Sequence, residues 1–240
     1  MKPCLIYQPL GLGDIFWLQP IVDFLIKNDY EVYYPVNDLY YSEVSKRIQK
    51  KNLIWTKEND YFPLKEHYGK MTTHQSVDGL YLPFGFADRY FQNAPIMATK
   101  YYFINFPISD WRKSVDIKRD KEKEQELIKK YDLIGEYVLV NRLFGSNPIE
   151  RDIKIETNKK VHVMSYKDSV DNGFSIFDWI GAIENASEIH TVETSFCYLV
   201  DKYAKTENLN MYEKRLTNQQ NDYYKNVGLV YKNSNWTYHS

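Results

Sequence analysis

Apolar positions follow two rhythms along this chain, short continuous runs and runs spaced at three and four residues. Residues 3–8, PCLIYQ, are a short apolar run that stops at Pro9-Leu10-Gly11, the pattern of a buried strand entering a loop. Beyond Asp14, the residues Ile15, Leu18, Ile21, Val22 and Leu25 recur at helical steps and give one apolar face. Asp14 stands where a helix cap belongs, and Pro20 inside the run predicts a kink. Asn28-Asp29 breaks the rhythm, and EVYYPV at 31–36 reads as a second strand. Strand, glycine loop, helix and strand make a βαβ unit, which implies a parallel sheet with a right-handed crossover.

The pattern continues with a helix over 38–50 and a strand at NLIWT, 52–56. Residues 57–112 are rich in Pro, Gly and aromatics; a short strand is expected at GLYLPF, then an aromatic-rich helical segment to about Trp111. Residues 113–130 alternate charges of both signs among Glu, Lys, Gln and Leu, which predicts a solvated helix at a domain boundary. The second half starts the rhythm again. Strands are expected at 136–145, 159–166, 188–192 and 209–214, with helices over 174–187, begun by Ser175 or Asp178, and after Glu193-Thr194-Ser195. The polar, aromatic tail reads as a helix packing back on the body. These elements predict an α/β protein of two Rossmann-like, parallel-sheet domains, 1–128 and 129–240, whose strand ends face a common cleft.

Composition narrows the function classes. A formal charge of −1 disfavours bulk duplex DNA or an anionic membrane as partner, while leaving room for a local basic groove. The 22 tyrosines are spread through the chain, which fits a compositional bias better than a stacking surface for sugars or bases. Cys4 and Cys197 lie in apolar segments without metal spacing, as small buried hydrophobes of a reducing compartment do. No run is long and apolar enough for a membrane span or a signal peptide, so a cytoplasmic protein is expected.

Three loops can carry chemistry. In Gly11-Leu12-Gly13-Asp14 the glycines allow a tight turn and a close approach of ligand to backbone. Phe16 stands where a dinucleotide fingerprint needs its third glycine, and no Lys-Ser/Thr follows for a P-loop. The alternative is a plain strand-to-helix turn. In Glu193-Thr194-Ser195 the hydroxyls and free N–H groups of a helix start can hold phosphate and the carboxylate can accept from ribose; the alternative is simple capping. The third loop offers Asn141, Arg142, Gly145 and Ser146 to a diphosphate, or is an exposed loop with a structural arginine. His74 in the polar loop MTTHQS is the one histidine placed to line a cleft, and no DxD pair for a metal stands out, since Asp60, Asp168, Asp171 and Asp222 are isolated.

Taken together, Gly11-Leu12-Gly13-Asp14 with Pro20 six residues on, and Glu193-Thr194-Ser195 opening an apolar helix, resemble glycosyltransferases of the GT-B fold, most closely the heptosyltransferase-like family 9. The loop at Asn141 departs from that family's usual histidine-proline-glycine pattern, so the donor is left open. The resemblance implies a metal-independent transfer of a hexosyl or heptosyl group from a nucleoside-diphosphate sugar, with no cofactor besides that donor. It puts Asp14 in the role of base toward the acceptor hydroxyl. Thr194, Ser195 and Arg142 or Lys167 would then stabilise the leaving diphosphate, and Glu193 would hold the ribose. The acceptor is open among a glycan, a lipid-linked sugar, a protein and a modified base. The rival readings are a non-catalytic nucleotide- or sugar-binding protein of the same fold and an epimerase-like or hydrolytic enzyme.

Overall fold

The computed structural model describes residues 1–8, 11–91, 94–142, 152–164, 173–213 and 227–239. The chain divides into two compact units, Met1–Lys118 with Tyr224–Val230, and Arg119–Tyr223 with Tyr231–Ser240.

The first unit is built on a five-stranded sheet of β1 (Lys2–Ile6), β2 (Tyr30–Val36), β3 (Leu53–Lys57), β4 (His74–Ser76) and β5 (Gly79–Leu82), in the order β3-β2-β1-β5-β4. All neighbours are parallel except β4, which runs antiparallel to β5. The central strand β1 buries Cys4, Leu5 and Ile6 completely, as a strand covered on both faces must. On one face Leu5 and Tyr81 stand side by side under Phe62, Leu64 and Tyr68 from the long connection between β3 and β4. MTTHQS is therefore not all loop: His74 begins β4, because the turn at Val77-Asp78 folds this stretch back along β5.

The expected single helix after β1 is two, α1 (Leu12–Trp17) and α2 (Gln19–Lys27). Pro20 has no N–H for the carbonyl four residues back, so it sits in the first turn of a new helix, where none is needed. The Gln19 side chain donates to the Ile15 carbonyl at the break, 2.9 Å. Asp14 is not the cap. It lies inside the first turn of α1, and the cap position belongs to Gly11, at φ 88°. A Cβ on Gly11 would overlap Asp14 Oδ2, so the turn requires glycine for its backbone angle and for the carboxylate folded over it. The unit continues with α3 (Asp38–Arg47), capped by Asn37, and α4 (Ile96–Phe103). Buried Trp111 donates to the Val230 carbonyl, 2.8 Å, which holds the helical turn at 227–230 to this unit.

The second unit holds α5 (Lys121–Lys130), β6 (Tyr137–Asn141), β7 (Lys160–Met164), α6 (Ile180–Asn185), β8 (Glu188–Val192), α7 (Phe196–Tyr203), β9 (Leu209–Tyr212) and β10 (Trp236–His239). Its sheet is parallel throughout, in the order β10-β9-β8-β6-β7. The charged stretch becomes helical only at Lys121, where Asp120 caps α5 by accepting from Lys123 N at 3.1 Å. Before it Val115 and Ile117 are buried at alternate positions. The expected boundary at 128/129 cuts α5; the compact units part at Lys118–Arg119. Arg119 is anchored in the second unit, with Nε 2.7 Å from Glu124 Oε1 and Nη1 2.6 Å from Glu184 Oε1, joining α5 to α6.

The tail is not a helix to its end, since residues 236–239 form β10. Asp201 on α7, 3% exposed, draws the tail in by accepting from Lys232 N, Asn233 N and Trp236 Nε1 at 3.1, 2.9 and 2.8 Å. Three N–H donors make that buried carboxylate tolerable.

Two outcomes follow for stability. Gly11→Ala should lower the unfolding free energy by about 1–3 kcal/mol, the usual cost of a non-glycine residue in such a conformation. Gly69→Ala, also at positive φ but with nothing near its Cβ, is the control; equal losses for the two in denaturant unfolding would mean that the Asp14 overlap is not felt. The second outcome concerns pH. The Arg119 hydrogen bond, opposed by desolvation, holds the Glu184 carboxyl below its ordinary value. A depressed folded-state value adds stability above the unfolded-state value and loses it as pH falls through the folded one. The gap in urea midpoint between the wild type and Arg119→Met should thus be widest near neutrality and close below about pH 4. A gap that is constant with pH contradicts this.

Candidate functional site

Each sheet has one strand whose two neighbours are reached in opposite directions. The chain leaves β1 for β2 on one side and comes back to β5 on the other. It leaves β6 for β7 on one side and comes back to β8 on the other. Beyond the carboxyl ends of such strands, open α/β sheets leave a crevice that binds ligands. The Gly11–Asp14 turn follows β1, Asn141-Arg142 ends β6, and Glu193–Ser195 follows β8. The two switch points thus collect most of the residues singled out in the sequence.

At the first, Asp14 is not a lone carboxylate. Lys100 Nζ on α4 lies 2.6 Å from Asp14 Oδ1. Lys100 is 6% exposed and the Asp14 side chain 23% exposed, so the lysine is sealed behind the aspartate. The rest of this face of α4 also grips α1. Trp17 Nε1 donates to the Met97 carbonyl at 2.7 Å, and the Tyr101 hydroxyl donates to the Trp17 carbonyl at 2.8 Å. Met97, Lys100 and Tyr101 are spaced i, i+3, i+4 and so share one side of the helix. Leu12 is buried in α1, and Gly13 is half-buried. The Tyr34 hydroxyl on β2 is buried without a partner among the described residues, and burial first, then the Asp14 charge, pushes its pKa well above the ordinary value. Tyr7, the residue after β1, stacks on Phe86 at 5.1 Å and meets Tyr68 edge-on at 4.8 Å.

His74 is not brought to this turn by the topology: its strand lies two places from β1. Its ring stacks on His67 at 3.9 Å. Desolvation, then the neighbouring His74, hold His67 below its ordinary pKa.

At the second switch point Asn141, 4% exposed, donates from Nδ2 to Thr191 Oγ1 at 3.0 Å and to Thr194 Oγ1 at 3.3 Å. This binds the end of β6 to the turn after β8. Thr194 Oγ1 also accepts from Phe196 N at 3.3 Å, so the hydroxyl that caps α7 is that of Thr194, while Ser195 makes no side-chain cap bond. Glu193 N donates to the Tyr212 carbonyl at 3.0 Å, tying the turn to β9. Arg142 turns aside: Nη2 donates to the Ile153 carbonyl at 2.9 Å, and its buried Nε has no partner among the described residues. Ile153 packs with Val138, Val140 and Val192 on the sheet. Gly145, Ser146 and Lys167 lie outside the described residues.

The remaining candidates are structural. Both ring nitrogens of His190 are engaged, by Glu188 Oε1 at 2.7 Å and Tyr212 Oη at 2.8 Å. Burial pushes the Cys197 thiol up to about 12 and Cys4 higher still, which leaves neither as a thiolate nucleophile. Among the described residues no group of three or more His, Cys, Asp or Glu is arranged to hold a metal, and no helix is long and apolar enough to cross a membrane.

Sequence reasoning missed Lys100 and Tyr34. A signal for Lys100 was present, since it is the single charge in IMATKYYF. A cation alone in an apolar run is a candidate for a buried ion pair.

No protein-family model matches the chain, and no curated protein matches it. Among solved structures, the crystal structure of a glycosyl transferase family 9 protein from Veillonella parvula DSM 2008 matches with a TM-score of 0.57 at 10% identity, over 99% of this chain and 86% of that one. At this identity the likeness is one of fold, and the chain has the GT-B-like architecture of two parallel-dominated α/β sheets with alternating helices.

Proposed function

We propose that this protein is a glycosyltransferase that moves a sugar from a nucleoside-diphosphate donor to an acceptor hydroxyl. The observation that carries the reading is the Asp14 carboxylate, folded over Gly11 at the switch point of the first sheet and held there by a buried lysine. The GT-B-like fold adds support, because its solved neighbour is a glycosyl transferase. Asp14 is the general base: it takes the acceptor proton as the acceptor oxygen attacks the anomeric carbon and the bond from that carbon to the diphosphate oxygen breaks. The nucleoside diphosphate leaves with the electron pair of that bond.

The second unit holds the donor in this reading. The hydroxyls of Thr194 and Ser195, at the opening of α7, meet the growing negative charge. Asn141 fixes Thr194, and Glu193 accepts from the ribose hydroxyls. Arg142 reaches the diphosphate only by leaving the Ile153 carbonyl, so it is a secondary contact. The reading uses no metal step, and the transferred group is a hexose or a heptose.

The test is thermal unfolding against a panel of nucleoside diphosphates and their sugars, followed by turnover. A ligand at a hundred times its Kd adds about 2.7 kcal/mol to native-state stability. One base should raise the melting temperature above the others. Asp14→Asn should keep that rise, measured from its own baseline, while losing about 100- to 10,000-fold in turnover. Binding by the wild type without turnover of any donor would leave a non-catalytic nucleotide-binding protein. Release of an epimerised free sugar would favour the epimerase-like reading.

A further inference from the structure

The proposed base cannot set its own geometry. The terminal torsion of an aspartate is broad, so packing of the α1 backbone leaves the plane of the Asp14 carboxylate free to swing. A group that accepts a proton in a transition state has to be held within about 0.5 Å and 10–20°. Lys100 supplies the missing constraint. Its Nζ engages Oδ1 at 2.6 Å, and Oδ2 folds over Gly11. The lysine is itself held, because it is 6% exposed and its helix is clamped to α1 on both sides of it, through Met97 with Trp17 and through Tyr101 with Trp17.

Folding alone explains this pair poorly. Burying an ammonium is expensive, and buried ion pairs are often matched or improved on by apolar residues of similar size. The helix does not depend on the pair for its place, since α4 already has two hydrogen bonds to α1. An ion pair that the packing of α4 does not require is explained by what the carboxylate does.

We propose that Lys100 is a positioning residue for Asp14, and that α4 is the brace that carries it. The role rests on Asp14 being the base of the proposed transferase. Lys100 touches no reacting atom; it acts through the carboxylate.

The experiment compares the wild type with K100M, K100R, D14N and the double variant D14N/K100M. The probes are UDP-, GDP- and ADP-hexoses, with release of nucleoside diphosphate to water as the readout, alongside each variant's melting temperature. K100M should lower kcat by about 10- to 100-fold, the cost of misplacing a catalytic group, while KM for the donor stays within about twofold. K100R should recover most of the loss. D14N/K100M should be no slower than D14N, since a positioning residue has nothing to position once the base is gone. Should K100M not fold, K100Q, which keeps a donor without the charge, takes its place with a smaller expected loss. A folded K100M or K100Q with unchanged kcat overturns the proposal. So does a double variant slower than D14N by the factor that K100M alone produces. A wild type that turns over none of the donors removes the transferase reading and this role with it, whereas an active wild type with an indifferent K100M removes only the role of Lys100.

Discussion

Parallel strands cannot be joined by a tight turn. Each must be left at its carboxyl end and regained at its amino end, so the chain crosses over the sheet between them. Both sheets of this protein obey that constraint, and both reverse the direction of crossing once, at β1 and at β6. The reversal sends the neighbouring connections away from each other and leaves backbone ends open where they part. What stands at those ends is free of the demand to fill a core. Gly11, Asp14, Asn141, Arg142 and Thr194 are there by topology, before any question of chemistry.

Three buried carboxylate arrangements show how differently a charge can be made tolerable. Asp201 is met by two backbone N–H groups and an indole, all from one returning segment, and so serves as a fastener. Glu124 and Glu184 share the Arg119 guanidinium, with the bidentate geometry suited to joining two helices. Asp14 has a single lysine, a point charge on a flexible stem, and the pair is sealed on the lysine side while the aspartate keeps some access to solvent. The first two join elements of one unit to each other. The third stands at a switch point, which is why the functional reading rests on it.

Most of the frame was legible because it is written locally. The apolar run Cys4-Leu5-Ile6 of β1 is buried on both faces, and such a strand reads as a continuous hydrophobic stretch. Pro20 marked the break between α1 and α2 because a missing N–H has the same consequence in any context. What was misread depends on partners far along the chain. Trp236-Thr237-Tyr238-His239 is only four residues long, too short to stand out as a strand by itself; β9 pairs with it and Asp201 gathers the residues before it. The role of Asp14 within its turn was misjudged for a related reason. Asp followed by apolar periodicity is the ordinary cap signal, but the cap is Gly11, at positive φ, and the helix starts three residues earlier. Lys100 meets Asp14 across 86 residues, so its isolation in an apolar run signals a buried partner without naming it.

The two switch points differ in the chemistry they offer, and the difference bears on the proposed reaction. The first ends in a carboxylate beside a glycine, a group that can take a proton. The second ends in the hydroxyls of Thr194 and Ser195 beside the Glu193 carboxylate, with its asparagine already spent on fixing Thr194, and the hydroxyls can meet an anion. Glycosyl transfer from a nucleoside diphosphate asks for one of each, because the acceptor oxygen loses a proton while the diphosphate gains charge. A dehydrogenase built on the same kind of sheet would need the glycine fingerprint that Phe16 interrupts. A thiol enzyme would need a reactive cysteine, and burial denies that to both Cys4 and Cys197.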